Sequence, residues 1–162
     1  MSKYKFTGKT KSVFDIDLHQ IVAVVDFGDV RTGDVVRTGD VGGWIENENN
    51  LSQSGDAWVS GKAQVSGDAW VSGNAQVSGK AQVSGDAWVS DTRHVLVIGP
   101  VGSRFDFTTF FKSTHGISVR CGCFRGDIKD FLNSVKNTHG SSRHGEVYRL
   151  AAELAKLQIL SE

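Results

Sequence analysis

The chain is 162 residues long, the size of one domain or at most two small ones. Its 18 basic and 18 acidic side chains cancel, which argues against a protein-wide nucleic-acid or membrane footprint. With 39% hydrophobic and 22% charged residues it reads as a soluble globular protein rather than a disordered one. A composition of 19 Gly against a single Pro is not random-loop chemistry and points to a regular pattern of corners.

The chain begins Met1-Ser2-Lys3-Tyr4-Lys5 with no apolar h-region, so no signal peptide is expected. No apolar run approaches the roughly 18 residues of a membrane span. A reducing cytoplasm is the expected location. The β-branched run Gln20–Phe27 predicts a strand. Gly-Asp-Val then recurs at 28–30, 33–35 and 39–41, and Arg-Thr-Gly-Asp-Val stands twice, at 31–35 and 37–41. The doubling is either a tandem slip or an extra irregular coil leading into Gly42-Gly43-Trp44-Ile45. The polar stretch 46–50 predicts a loop.

From Gly55 to Ser90 the chain keeps a strict period of six, with Gly at 55, 61, 67, 73, 79 and 85. Each hexad reads Gly-[Asp/Lys/Asn]-Ala-[Trp/Gln]-Val-Ser. Ala and Val stand two apart, so on an extended segment they face the same way, while Ser and Gly supply a corner. A short strand and a corner every six residues is the pattern of a solenoid. It resembles the hexapeptide repeat of left-handed parallel β-helices, in which three hexads complete a coil. The inward aliphatic (Val59, Val65, Val71) and the small residue four later (Ala63, Ala69, Ala75) match that motif. Ser stands where the motif has a small or acidic residue, and Gly falls one place late. Filament-forming bactofilins also build β-helices from Gly- and Val-rich repeats, which leaves handedness open; the strict six favours the left-handed form.

An 18-residue coil stacks hexads three apart. Trp70 then lies beneath Trp88, Gln64 beneath Gln82 and Trp58 beneath Gln76, all pointing outward. Exposed tryptophans on a solenoid face need a partner. Three partners are open: this chain's own flanks, a second copy meeting Trp58, Trp70 and Trp88 in a dimer or trimer, or the bases of a stacking ligand. Two coils cannot bury a continuous core alone, so caps or oligomerisation are required.

After Asp91 the period stops. Val95–Ile98 predicts a strand and Gly99–Gly102 a turn. Phe105–Phe111 and Gly116–Cys121 predict two more strands. Asp127 with Asp130 predicts a helix start, Ile128, Phe131, Leu132 and Val135 one face, and Gly140 the end. A last helix carries Val147, Leu150, Ala151 and Leu154 on one face. The expected fold class is therefore mainly β. Residues 1–54 form an N-terminal β cap, 55–94 a short parallel β-helix, and 95–162 a small C-terminal α+β domain.

The zero net charge conceals an asymmetry. Residues 1–54 carry six basic and eight acidic side chains, residues 55–90 two and three, and residues 95–162 nine and six. Arg104, Arg120, Arg125, Arg143 and Arg149 all lie in the last segment. Arginine forks bind phosphate bidentately, so an anionic ligand belongs there, although a solvated basic face accounts for the same charges. His94, His115, His139 and His144 with Cys121 and Cys123 would make a zinc set, but Cys-X-Cys is not the usual ligand spacing. Buried thiols packing as small apolar groups fit better, and no metal or cofactor is expected. The Gly99–Arg104 loop lacks the Lys-Ser/Thr ending of a P-loop.

The chain as a whole resembles a family of phage and prophage proteins that carry hexapeptide-like repeats and are often labelled transferases. The marks are Ile21-Val-Ala with Asp26-Phe-Gly, Gly42-Gly-Trp-Ile before Asn50-Leu-Ser, and the Gly-Asp-Ala-Trp-Val-Ser hexads. Further marks are Ile98-Gly-Pro with Gly102-Ser-Arg104, Cys121-Gly-Cys-Phe-Arg-Gly126, and Thr138-His-Gly140. The doubled Arg-Thr-Gly-Asp-Val departs from the pattern. The resemblance implies a phage origin and a β-helix with a terminal domain, but no reaction and no catalytic residues.

Three function classes follow. An acyltransferase of the hexapeptide type needs a His base, and only His94 stands at the repeat's end; this rests on fold analogy. A structural, self-assembling protein would place the tryptophans at contacts. The reading favoured by the segregated Arg and His is a non-enzymatic binding protein acting against host immunity. It would sequester an anionic, nucleotide-type signal on Arg104, Arg120, Arg125, Arg143 and His144, with Phe107 or Tyr148 stacking a base. A host defence protein is the alternative partner. Nothing in the sequence signals direct DNA binding.

Overall fold

A computed structural model describes residues 2–160. The chain is mainly β, with two helices at its C-terminal end. It opens with a long antiparallel hairpin, β1 (Tyr4–Val13) and β2 (Ile16–Ala23). A short hairpin follows, β3 (Phe27–Asp29) with β4 (Asp34–Val36), and then β5 (Val41–Ile45) pairs antiparallel with β2. The strand expected over Gln20–Phe27 is thus broken after Ala23. The first Arg-Thr-Gly-Asp-Val makes the turn and return strand of the short hairpin, not an extra coil.

The repeat supplies six two-residue strands: β6 (Trp58–Val59), β7 (Gln64–Val65), β8 (Trp70–Val71), β9 (Gln76–Val77), β10 (Gln82–Val83) and β11 (Trp88–Val89). Each pairs in parallel with the strand three hexads away. Trp58 meets Gln76, Gln64 meets Gln82, and Trp70 meets Trp88. Three ladders result. The β5 strand joins one of them at Trp44↔Gln64, and Leu51 bridges to Val71 on another, so stacking begins upstream of the first regular hexad.

The corner chemistry follows from the hexad. Ala63, Ala69, Ala75, Ala81 and Ala87 each donate their N–H to the Ser carbonyl three residues back. Gly therefore sits at the second turn position with φ between +62° and +66°, while the residue after it keeps a negative φ. That is a type II′ corner, and it asks for Gly there and nowhere else. Between corners, every Ala and Val of the hexads is buried to 2% exposure or less, forming one continuous core.

The upstream end of this core is plugged by two polar groups that are themselves satisfied. Asn50 is wholly buried; its Oδ1 accepts from the N–H of Glu46 and Asn47, and its Nδ2 donates to the carbonyls of Gly67 and Ala69. Lys3 reaches in from the N-terminus and donates to the carbonyl of Ala57 at 2.6 Å. Burial pushes its ammonium down to about 8, against the opposing pull of Asp56.

Beyond the repeat, β12 (Val95–Val101), β13 (Asp106–Ser113), β14 (Gly116–Cys121) and β15 (Phe124–Asp127) form an antiparallel meander. Helices α1 (Ile128–His139) and α2 (Arg143–Leu160) cover one face of it. Asp127 caps α1, accepting from the Asp130 N–H at 2.7 Å, and Gly140 closes it, as their spacing predicts. The turn expected over Gly99–Gly102 falls later, after Val101, because a register shift between Ile98 and Val101 lets β12 run on.

Strand alternation sorts the meander's side chains onto two faces. Along β13, Phe110 joins the helix-side core, whereas Phe111 joins the core of the repeat. Thr109 likewise faces the repeat, its hydroxyl accepting from the Gln82 N–H. The terminal unit is therefore docked on the repeat.

Two sequence expectations fail in this packing. Trp58 does not stand outward on a free face; it is 4% exposed, with Phe27 packed edge-on at 5.4 Å and Gly42 close beneath it. The short hairpin β3–β4 covers it, and that cover comes from the segment whose repeat obscured its fold. On α2, the buried face is Tyr148, Ala152, Ala155 and Ile159, whereas Leu150 and Leu154 are exposed.

Candidate functional site

Arg120 in β14 and Arg125 in β15 are direct cross-strand partners on the face that looks toward the repeat. Arg120 is 6% exposed. Its Nη1 donates to the Ser84 hydroxyl at 3.0 Å, while its Nε is buried with no hydrogen-bond partner. Among the described residues no carboxylate forms an ion pair with either arginine. Burial holds the Arg120 guanidinium down to about 10, and the charge of Arg125 adds to that.

Both arginines line a cleft of about 450 Å³ between the meander and the repeat. Ser66, Gly67, Ser84 and Gly85 form its repeat wall, Phe111 and Ser118 its sheet wall, and Ile16 closes one side. Two carboxylates border it, and both are engaged. Asp127 caps α1, and Asp86 accepts from the Thr114 hydroxyl with His115 at 3.6 Å. Glu46, nearby, accepts from the Gly67 N–H at 2.7 Å.

Beside Arg125, outside the lining of the cleft, stands an aromatic ring that the sequence did not flag. Phe14 and Asp15 make the tight turn of β1–β2 with φ of +50° and +64°. Positive φ at both central positions is the type I′ geometry that Asn-Gly normally fills, so a bulky aromatic there is strained. Phe14 is 62% exposed, and the Arg125 guanidinium stands 5.6 Å from its ring. A strained, exposed aromatic beside two unpaired arginines has the chemistry to stack a planar group and hold an anion.

The remaining predicted site residues do not converge here. Arg104 lines a separate cleft of about 510 Å³ on the helix side, with Asp106, Cys121, Cys123, His139 and Tyr148. Tyr148 is buried, its hydroxyl pressed against Gly102, and burial together with Cys121 pushes it up to about 12. It offers no face to a base. Arg143 and His144 open α2, where the His144 ring meets that of His139. Phe107 faces the repeat with the Lys80 ammonium 4.5 Å from its ring, and it does not line the cleft. The cause is strand parity: Arg120 and Cys121 are neighbours in sequence and point to opposite faces. Comparison with known protein families and with curated proteins finds no match.

The other candidate residues lie outside the lining of the cleft. His94 accepts the Ser90 N–H on Nδ1 at 3.1 Å, and burial lowers its pKa. Cys121 accepts from the Thr108 hydroxyl, Cys123 is exposed, and among the described residues no three His, Cys, Asp or Glu side chains gather to hold a metal. No described helix is long and apolar enough to cross a membrane. Trp70 and Trp88 do stand outward, 42% and 51% exposed, with ring centroids 5.8 Å apart.

Proposed function

We propose that this chain is a binding protein that captures a phosphate-bearing, nucleotide-type ligand in the cleft between its repeat and its terminal sheet. The observation that carries this reading is the pairing of Arg120 with Arg125, two like charges directly opposite on one sheet face. Such a pair is destabilising by itself. A phosphate accepting from both guanidinium groups removes the cost. Phe14 supplies the ring for a base or other planar group.

The repeat is read as a short left-handed parallel β-helix of the hexapeptide type. Its strict period of six, parallel pairing at a separation of 18 residues and II′ corners support that reading. The resemblance of its motifs to phage and prophage proteins supports an origin in a phage. There the ligand would be a nucleotide signal of host immunity, captured without turnover in the host cytoplasm.

Isothermal titration against cyclic nucleotides, ADP-ribose-type nucleotides and inorganic phosphate tests the site. Heat is expected from at least one of them, with binding lost in Arg120→Met and Arg125→Ala and retained in Arg104→Ala. Silence across the panel, or binding indifferent to Arg120→Met, overturns the reading. Mass spectrometry of small molecules released from heat-denatured protein would name the ligand.

A further inference from the structure

Of the six corner glycines, Gly67 and Gly85 line the arginine cleft. They stack one coil apart, a strand spacing of about 4.8 Å, and share a φ of +64°. Their N–H groups differ in one respect. The Gly67 N–H donates to a Glu46 carboxylate oxygen at 2.7 Å, whereas the Gly85 N–H has no hydrogen-bond partner among the described residues.

The register explains the difference. Ile45 pairs with Val65 and Val65 with Val83, so Glu46, Ser66 and Ser84 follow one another up the same corner. Ser66 therefore stands below Ser84 as Glu46 stands below Ser66. Glu46 is long enough to lay a carboxylate on the glycine N–H of the corner above it, and the Ser66 hydroxymethyl is too short to do the same. Arg120 comes to that upper corner instead. Its Nη1 is 3.0 Å from the hydroxyl of Ser84, the residue before Gly85, and Arg125 is its cross-strand partner.

Taking the cleft as the anion site, we infer that its ligand is a phosphomonoester whose terminal oxygens accept from the Gly85 N–H, Arg120 and Arg125. Three separate donors ask for three terminal oxygens. A phosphomonoester has three, and nearly two negative charges at neutral pH, which match the two guanidinium charges. A cyclic phosphodiester, or either phosphorus of a bridging diphosphate, has only two, so one donor goes unused. Glu46 on Gly67 is the chain's own version of one of these contacts, an anionic oxygen on a corner N–H. The carboxylates at the rim are turned to other partners: Asp86 accepts from the Thr114 hydroxyl beside His115, and Asp127 caps α1.

Amide-resolved NMR of the protein titrated with inorganic phosphate, adenosine monophosphate and cyclic adenosine monophosphate tests it. Phosphate and the monophosphate should move the Gly85 amide proton downfield, while that of Gly67, already bonded to Glu46, stays in place. The monophosphate should bind at least about tenfold more tightly than the cyclic form. Ser66→Glu should set a carboxylate on Gly85 as Glu46 does on Gly67, shifting the Gly85 amide without ligand and weakening phosphate at least about tenfold. Three results overturn the inference and leave an Arg120-dependent cleft standing. They are a Gly85 amide unmoved at saturating phosphate, a cyclic form bound as tightly as the monophosphate, and a folded Ser66→Glu protein that binds phosphate undiminished. If none of the three probes binds, or binding is indifferent to Arg120→Met, the anion site itself falls and the inference with it.

Discussion

Arg120 and Arg125 face each other across two antiparallel strands, the first buried and the second at the surface, with no acid between them. A protein selected only for stability has little reason to keep that arrangement, because a buried unpaired charge is among the costliest groups to hold. Arg120→Met should therefore stabilise the ligand-free protein by about 1–2 kcal/mol, raising Tm by roughly 2–8 °C. The same variant should lose any thermal stabilisation by phosphate or nucleotide. Differential scanning fluorimetry with and without ligand reads both, and a variant less stable than the parent would contradict the account.

The two kinds of tryptophan should part sharply on truncation. Trp58→Ala empties a buried site beneath the β3–β4 hairpin and should cost about 3–5 kcal/mol. Trp88→Ala removes a half-exposed ring and should cost below about 1 kcal/mol. Urea denaturation of the two variants distinguishes them.

The corners at Gly73 and Gly79 differ although both stand in a Val-Ser-Gly-X-Ala-Gln context. A Cβ at Gly73, where φ is +62°, would stand 2.6 Å from the Ser90 carbonyl oxygen, whereas at Gly79, with φ +66°, it would meet open space. Gly79→Ala should cost about 1 kcal/mol from backbone strain alone. Gly73→Ala bears the same strain plus a clash with backbone, and chemical denaturation should show it to be at least twice as costly.

Lys3 makes stability depend on alkaline pH. Its folded pKa, about 8, lies below the ordinary value of 10.5, so between those limits the unfolded chain binds more protons than the folded one. Stability should accordingly rise as pH increases from about 8 toward 10. In Lys3→Met this rise should be absent, which thermal melts across that window would establish.

The hexad made the three ladders readable because one residue type at each of six positions encodes inside, outside and corner. Asp127 and Gly140 made α1 readable for the same reason, since caps are local. The cleft was not readable, because it joins residue 14 to residues 120 and 125 through a repeat that lies between them in the chain. Charge segregation pointed to the segment that holds Arg120 and Arg125. It grouped Arg104 and Tyr148 with Arg120, however, since composition carries no information about which sheet face a residue takes. Phe14 gave no signal, as a left-handed backbone at an aromatic leaves no trace in composition. The exposed face of α2 was misassigned because its leucines are more hydrophobic than the alanines that are buried.

Because Phe14 precedes the repeat and Arg125 follows it, the number of hexads acts as a gear between the two halves of the cleft. Each corner turns the chain through about a third of a revolution, so a lineage that gained or lost one hexad would swing the terminal sheet away from the β1–β2 turn. A change of three hexads returns the sheet to the same azimuth but lifts it by one strand spacing, about 4.8 Å. Length variation that leaves the arginines and the ring together is thus restricted to none at all, unless the turn lengthens in step. On the proposed reading of the cleft, the repeat, which looks like the part most free to expand by unequal crossing-over, is the part whose count the site would hold constant.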